Sequence, residues 1–319
     1  MKKHLAPLHV VLGAGPAGTA IAAELAERGL TVRQVARAPI TEAPAGVETV
    51  QADLSSVEAA VAATDGADVI YHAVNVAYHL QVDVLPGIAD ALLGAARVHR
   101  AKLVVLDTLY PYGEADGEAI TEQTPWAART RKGLLRAELD RRYLEAHGSG
   151  KVRVALGRSA DFFGPGVVNS TLGGAFFPGA LTGSPVLGLG DISLPHSYTF
   201  IRDVGRGLVT LGTDDRGDGR VWHLPTNPAV STTEIHDIVA DLTGHPLNVE
   251  VLDEPVAYGP FDAQFMAEYA EMFYQHLIPQ NVVSSAFEQQ FGIPPTPLRE
   301  ALAATVEWYS AALSTGGQR

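Results

Sequence analysis

"LHVVLGAGPAGTAIAAELAERG", Leu8 to Gly29, decides how the rest of the chain is read. A short apolar strand runs into a glycine turn, which opens an alanine-rich helix closed by Gly29 as its C-terminal cap. The turn spells Gly13-Ala14-Gly15-Pro16-Ala17-Gly18. Its glycines have separate physical reasons: Gly13 for the tight turn, Gly15 for close approach of a pyrophosphate, Gly18 for close packing of helix on strand. The helix N-terminus then faces the negative charge. A lone Gly-x-Gly-x-x-Gly is a weak signal. Here it follows a strand, opens a helix and begins a βαβ unit, and that context points to dinucleotide binding.

Working outward, strands and helices alternate. "TVRQVAR" and "VETVQADL" read as the second and third strands. "VEAAVAATDGA" reads as a helix, "DVIYHAV" as a strand, "LPGIADALLGAARVHR" as a helix and "KLVVLDT" as a strand. Nearly continuous apolar strands separated by helices predict an α/β fold, a Rossmann-type doubly wound parallel sheet covered on both faces. The expected division is a dinucleotide-binding domain over 1–165, to which 198–225 returns, and a smaller C-terminal substrate-binding region over 166–319.

The 36 Asp and Glu outnumber the 23 Lys and Arg, for a formal net charge of -13. No basic stretch is long enough for a nucleic-acid or anionic-membrane surface, so neither partner is expected. The absence of cysteine excludes disulfides, thiolate catalysis and Cys-ligated metals. No His and acidic grouping has metal-ligand spacing, and no metal is expected. "MKKHLAPLHVVLGAG" has no long apolar leader, and no segment approaches the roughly 20 apolar residues that span a bilayer. The expectation is a cytoplasmic protein.

The cofactor is read from the end of the second strand, about 20 residues past the first glycine. A carboxylate there would accept a hydrogen bond from the free 2′-hydroxyl of NAD. "QVARAP" has none, and Arg37 stands where a 2′-phosphate would be paired. NADP(H) is therefore expected, with NAD(H) as the alternative. Arg33, within the strand, has no assigned face.

Six segments in order make the chain similar to the extended short-chain dehydrogenases/reductases, of the NAD-dependent epimerase/dehydratase kind. They are "ADL" at Ala52–Leu54, "YHAVN" at Tyr71–Asn75, "DTLYPYG" at Asp107–Gly113, "GRSADFFGPG" at Gly157–Gly166, "YTFIRDVGRGLVTL" and the closing "SSAFEQQFGIPPTPLREALAATVEWY". The resemblance implies that Asp53 and Leu54 contact the adenine and that Ala73, Val74 and Asn75 lie along the cofactor. It also implies a homodimer, built from the helices "PGIADALLGAARVHR" and "RKGLLRAELDRRYLEAH".

In the resembling family a Ser or Thr works with a Tyr-x-x-x-Lys pair, whose side chains stack one helical turn apart. Thr108 matches the first position. The pair is missing: Lys102, Lys132 and Lys151 have Val98, Ala128 and His147 four residues earlier. Aligning "RAE" at Arg136–Glu138 puts Arg136 at the lysine position and Lys132 at the tyrosine position. One alternative is a solvated cationic face, shared with Arg129, Arg131, Arg141 and Arg142. The catalytic candidates are Thr108, Lys132, Tyr110 and Tyr112, with Asp107 a further option. Lys132 would serve as the acid if burial and its neighbour's charge depress its pKa. Tyr198 and Arg202 have the right spacing but straddle a strand and a helix.

The substrate half reads less clearly. His196, Tyr269, Phe273 and Tyr274 are candidate pocket residues, although aromatic stripes at helical spacing more often build core. Arg202 and Arg206 are too few for a diphosphate clamp. The expected activity is hydride transfer from NADPH to a small, apolar carbonyl, imine or activated alkene. The alternatives are a nucleotide-sugar epimerase or dehydratase and a non-catalytic NADP-binding sensor.

Overall fold

The computed structural model describes residues 6–115 and 117–316. Residues 1–5, which include Lys2 and Lys3 and were read above for a leader, lie outside the described residues. A seven-stranded parallel sheet carries the first half of the chain. Five of its strands are β1 (Leu8–Leu12), β2 (Thr31–Ala36), β3 (Glu48–Gln51), β4 (Val69–His72) and β5 (Lys102–Thr108). The strands Arg153–Ser159 and Val221–His223 complete it beyond β5, and across the sheet the first five run β5-β4-β1-β2-β3. The order reverses between β1 and β4, which is where doubly wound sheets bind ligands, outside the carboxyl ends of the strands.

Burial explains the apolar strands. Val10, Val11 and Leu12 are wholly enclosed, because helices cover both faces of a parallel sheet. Helix α1 (Pro16–Glu27) starts on Pro16, whose fixed φ and missing N–H suit the first helical position. It buries Ala17, Gly18, Ile21, Ala22 and Leu25. A Cβ on Gly205 would sit 2.7 Å from the Ala20 carbonyl oxygen, so the helix Ile201–Thr213 approaches α1 closely enough to need glycine there. Helix α2 (Val57–Ala63) is capped by Ser56, whose Oγ accepts from the Ala59 N–H at 3.2 Å.

Helix α3 (Gln81–His99) begins four residues earlier than expected. Pro86 suggests a helix start at Leu85, yet it falls in the second turn, where it costs one backbone bond without ending the helix. Leu85, Ile88, Ala89, Leu92 and Ala96 bury one long face, which outweighs that single loss. Helix α4 (Arg131–Gly148) follows the 3-10 turn Tyr110–Tyr112 and the strand Ala119–Ile120.

Two compact units emerge. The first holds the described residues up to Pro111, with Arg131–Arg158 and Val204–Leu224. The second holds Tyr112–Thr130, Ser159–Asp203 and the chain from Pro225 on. Among its described residues the second unit has three small parallel pairs, Asp161–Phe163 with Tyr198–Phe200, Pro185–Leu189 with Asn248–Leu252 and Ala119–Ile120 with Asn281–Val282. Its core gathers Phe163, Phe176, Phe177, Val186, Phe200, Ile235, Leu302 and Tyr309. The helix Thr232–Thr243 opens with a Ser231–Glu234 capping box, and the closing helix Leu298–Gly316 supplies Tyr309, which donates to the Val167 carbonyl at 2.7 Å.

Among the described residues no helix is long and apolar enough to cross a membrane.

Candidate functional site

The glycine turn fits a pyrophosphate. Gly13 has φ +115°, and a Cβ there would lie 2.7 Å from the Ala73 carbonyl oxygen; a Cβ on Gly18 would collide with the Gly13 carbonyl oxygen. Both positions therefore require glycine for the fold itself. Gly15 differs: its φ of -73° suits any residue, and a Cβ would meet nothing within 4 Å. Gly15 caps α1 without a side-chain hydrogen bond, and no acidic residue stands in the first turn. The open approach and the uncompensated helix N-terminus, with Pro16 and Ala17 as its first residues, suit an anion.

Around this turn lie the other cofactor candidates. Arg37 is exposed just past the end of β2, and its carbonyl accepts from Gln51 Nε2 at 3.1 Å. Arg33 is committed elsewhere, to Glu48 at 2.9 Å and the Asp65 carbonyl at 2.8 Å. Asp53 is exposed beyond β3, where its carboxylate accepts from the Ser55 N–H at 3.0 Å, and Leu54 is buried beside it. Ala73, Val74 and Asn75 leave the end of β4. Arg136 reaches Asn75 Oδ1 through Nη2 at 3.4 Å, and Gln81 Nε2 reaches the same oxygen at 3.3 Å. Arg136 is 8% exposed, and its Nε has no hydrogen-bond partner among the described residues. That orphaned donor and the space at Gly15 are the two observations that fit a dinucleotide. Beneath them His72 is neutral, its pKa lowered to about 3 by burial and then by the Arg136 charge.

Lys132 and Arg136 do share one face of α4, as their spacing requires, and that face points inward. Lys132 is 0% exposed while Leu134 is 54% exposed, so neither cation belongs to the solvated surface. Arg129, Arg131 and Arg141 are exposed. The Lys132 ammonium lies 5.5 Å from the ring centre of Tyr78, a cation–π distance. The Tyr78 hydroxyl is 2.6 Å from the Tyr110 hydroxyl. Thr108 ends β5, three residues past the last pairing of β5 with β4, and its Oγ1 accepts from the Tyr110 N–H at 3.4 Å.

Two candidates are enclosed. Tyr112 is 1% exposed and belongs to the second unit. Asp107 is 2% exposed and accepts from Arg158 Nε at 2.6 Å, while Arg158 Nη2 donates to Asp140 at 2.6 Å. A carboxylate held inside that buried triad is part of the fold's interior, which explains why its place at a strand end misleads. Asp140 has its pKa raised by burial and then by the Asp107 charge.

In the second unit, three candidate pocket residues meet on a fourth that sequence reading missed. His276 stacks on His196 at 5.3 Å between ring centres, shares a 2.6 Å hydrogen bond with the Tyr269 hydroxyl through Nε2 and packs against Phe273 at 5.7 Å. Burial, then the neighbouring His196, lowers the His276 pKa to about 3, so the ring is neutral and shares one proton-mediated contact with the Tyr269 hydroxyl. His196 in turn is 3.1 Å from Asp161, whose pKa burial would raise but the His196 hydrogen bond and charge bring down. Tyr274 is half-buried nearby in sequence. His276 closes the 3-10 helix Ala270–His276 that follows Tyr269, a placement for which the sequence carries no periodic signal. Tyr198 is 4% exposed and bonded to Thr232 at 2.9 Å, which sets it apart from Arg202 on the following helix.

The model of the NAD dependent epimerase/dehydratase family matches residues 9–224. No curated protein sequence matches the chain. Several solved structures share the fold. MoeE5 in complex with UDP-glucose and NAD is 21% identical over 96% of this chain and 99% of its own, with a TM-score of 0.77. The dTDP-glucose 4,6-dehydratase of Bacillus anthracis str. Ames, in complex with NAD, is 16% identical over 96% and 97%, with a TM-score of 0.79. A UDP-glucose 4-epimerase is 16% identical over 95% and 98%, with a TM-score of 0.77.

Proposed function

We propose, from the premise that the chain belongs to the NAD-dependent epimerase/dehydratase family, that it is an NAD(P)-dependent oxidoreductase acting on a small substrate without phosphate. The observation that carries the reading is the pairing of an open Gly15 cradle with the inward Lys132–Arg136 face. In this reading the Gly13–Gly18 turn and the start of α1 hold the pyrophosphate. Asp53 and Leu54 border the adenine, and Ala73, Val74, Asn75 and Arg136 flank the ribose. A bound nicotinamide supplies the hydride donor or acceptor. Thr108 orients a substrate oxygen by hydrogen bond, and His196, Tyr269 and Phe273 are the candidate pocket residues of the second unit.

Charge supports the substrate class. By segment, the second unit has 19 carboxylates against four arginines and no lysine, a balance of -15. The first unit has 17 carboxylates against 19 cations, a balance of +2. The acidity of the whole chain thus resides in the unit that lacks the dinucleotide motif. Arg129 and Arg202 are exposed, and Arg299 is paired with Asp241 on the surface. A nucleoside diphosphate would meet an unfavourable field there. A second reading, a nucleotide-sugar epimerase or dehydratase, is favoured by the ligands named for the similar structures. NAD(P)H consumption across uncharged carbonyls, imines and enones, run beside product analysis of nucleotide sugars because epimerisation and dehydration involve no net redox change, separates the two. Turnover of uncharged substrates alone is the expected result. Turnover of nucleotide sugars alone overturns the proposal, and tight cofactor binding with no turnover leaves the sensor reading.

Arg37 is proposed to favour NADPH over NADH by pairing with the 2′-phosphate. Arg37→Ala is expected to remove about 1.5–3 kcal/mol of that preference, the size of a hydrogen bond to a charged group. Equal calorimetric affinities of the wild type for both cofactors would remove the argument.

A homodimer through α3 and α4 is also proposed. Val82, Val98 and Leu134 are exposed on these helices, and a two-fold contact would cover them on both copies. Light scattering at micromolar concentration should give twice the 33.7 kDa chain mass; a mass equal to one chain contradicts it.

A further inference from the structure

We infer that Tyr78 is the proton-exchanging group of this site, with Tyr110 and Lys132 as the residues that position and support it. The inference rests on the hydride-transfer reading above and supplies the acid that the missing Tyr-x-x-x-Lys pair leaves unassigned. Among the other candidates Asp107 is locked to Arg158, and Tyr112 is 1% exposed where Tyr78 is partly exposed. Tyr78 comes from a different element, the 3-10 turn Tyr78–Leu80 between β4 and α3. It is partly exposed, as is Tyr110. Both leave the carboxyl ends of adjacent parallel strands, the edge at which this fold class binds its ligands.

The chemistry follows from three contacts. A phenol that gives up its proton becomes an anion, and hydrogen bonds or cations beside it favour that form. The Tyr110 hydroxyl, 2.6 Å away, can donate to it. The Lys132 ammonium faces its ring at 5.5 Å. Together they replace what the family obtains from a lysine one helical turn past its tyrosine. The helix carrying Lys132 still provides the cation, while the phenol arrives from the neighbouring turn. Thr108, bonded to the backbone of Tyr110, fixes that hydroxyl relative to the end of β5.

The step balances in both directions. When an alcohol is oxidised, the carbinol C–H bond breaks and its electron pair leaves with hydrogen as hydride to the oxidised dinucleotide. The O–H proton passes to the Tyr78 phenolate, and a C=O bond forms. In reduction, hydride adds to the carbonyl carbon, the C=O π pair moves to oxygen, and Tyr78 supplies the proton.

Full-length protein is tested with Tyr78→Phe, Tyr110→Phe and Lys132→Met, each titrated with cofactor by calorimetry and assayed at 340 nm on the substrate that the panel identifies. Tyr78→Phe should lower kcat by about 10²–10⁴, the span of a general acid, with KM and cofactor affinity within about threefold. Tyr110→Phe removes one hydrogen bond to a charged group, so its loss should be smaller, about ten- to a hundredfold. The double Phe variant should be no slower than Tyr78→Phe, because groups acting as a unit are not additive.

A second readout needs no turnover. With 3-fluorotyrosine at position 78, the fluorine resonance should move on cofactor saturation and again on Lys132→Met. Wild-type kcat in Tyr78→Phe, or a resonance unmoved by saturating cofactor, overturns the inference and leaves the hydride-transfer reading standing. A wild type that binds no dinucleotide overturns both.

Discussion

Arg158→Ala is expected to lower the stability of the fold by about 3–5 kcal/mol, the cost of removing one partner from a buried ionic group. Arg158 is 0% exposed and bridges Asp107 on β5 to Asp140 on α4 at 2.6 Å each. It thereby ties the sheet to the helix that carries Lys132 and Arg136. Removing the guanidinium leaves two enclosed carboxyl groups facing each other with only the Arg136 charge to offset them. Urea denaturation checks the size; a loss below about 1 kcal/mol would mean that solvent reaches the triad. Replacing all three residues by apolar ones of similar volume should restore much of the loss, since such triads add little net stability.

The triad also sets a direction for pH. Burial, then the Asp107 charge, raises the Asp140 pKa above its ordinary value. The folded protein therefore holds a proton that the unfolded chain has released above about pH 4. The contribution of this group is complete below the unfolded pKa and is lost as pH rises through the folded one. Asp140→Asn keeps a neutral partner and should flatten that part of the stability profile. A profile unchanged by Asp140→Asn would show that the carboxyl is ionised in the folded state.

The doubly wound sheet was legible because its signals are local. The glycine turn, the apolar strands and the helix caps each sit within one element, and they agree with one another. The start of α3 was misplaced because Pro86 obeys a local rule that burial of the helix face overrides. That Lys132 and Arg136 share one face of α4 was legible from their four-residue spacing, but that this face is buried rather than solvated was not. Its partners were not. Tyr78 lies in a three-residue turn with no periodicity, and its contact with Tyr110 spans 32 residues of sequence. Asp107 looked available because its strand ends there, and only the approach of Asp140 and Arg158 from separate elements shows otherwise. His276 was hidden among aromatic residues whose spacing reads equally well as core. The -13 net charge was plain, but its concentration in one unit was not, because that unit is assembled from three separate stretches of chain.

Gly15→Asp is expected to weaken dinucleotide binding by about a hundredfold or more while leaving the fold intact. The backbone at Gly15 suits any residue, and a Cβ would meet nothing within 4 Å, so folding makes no demand for glycine there. Only a ligand close to the backbone would. A side chain at this position displaces the pyrophosphate from the N–H groups of α1 and sets a carboxylate against it. Losing one such charge-assisted hydrogen bond is worth about 1.5–3 kcal/mol, and two correspond to a hundredfold or more. Gly18→Ala, whose Cβ would collide with the Gly13 carbonyl oxygen, should instead reduce stability. The most direct measurement is a calorimetric titration of wild type and Gly15→Asp with NADPH and NADH, at matched thermal midpoints. One dinucleotide bound per wild-type chain, and binding lost in the variant, is the expected result. A wild type that binds neither cofactor, or a variant that binds as tightly as the wild type, would contradict the account.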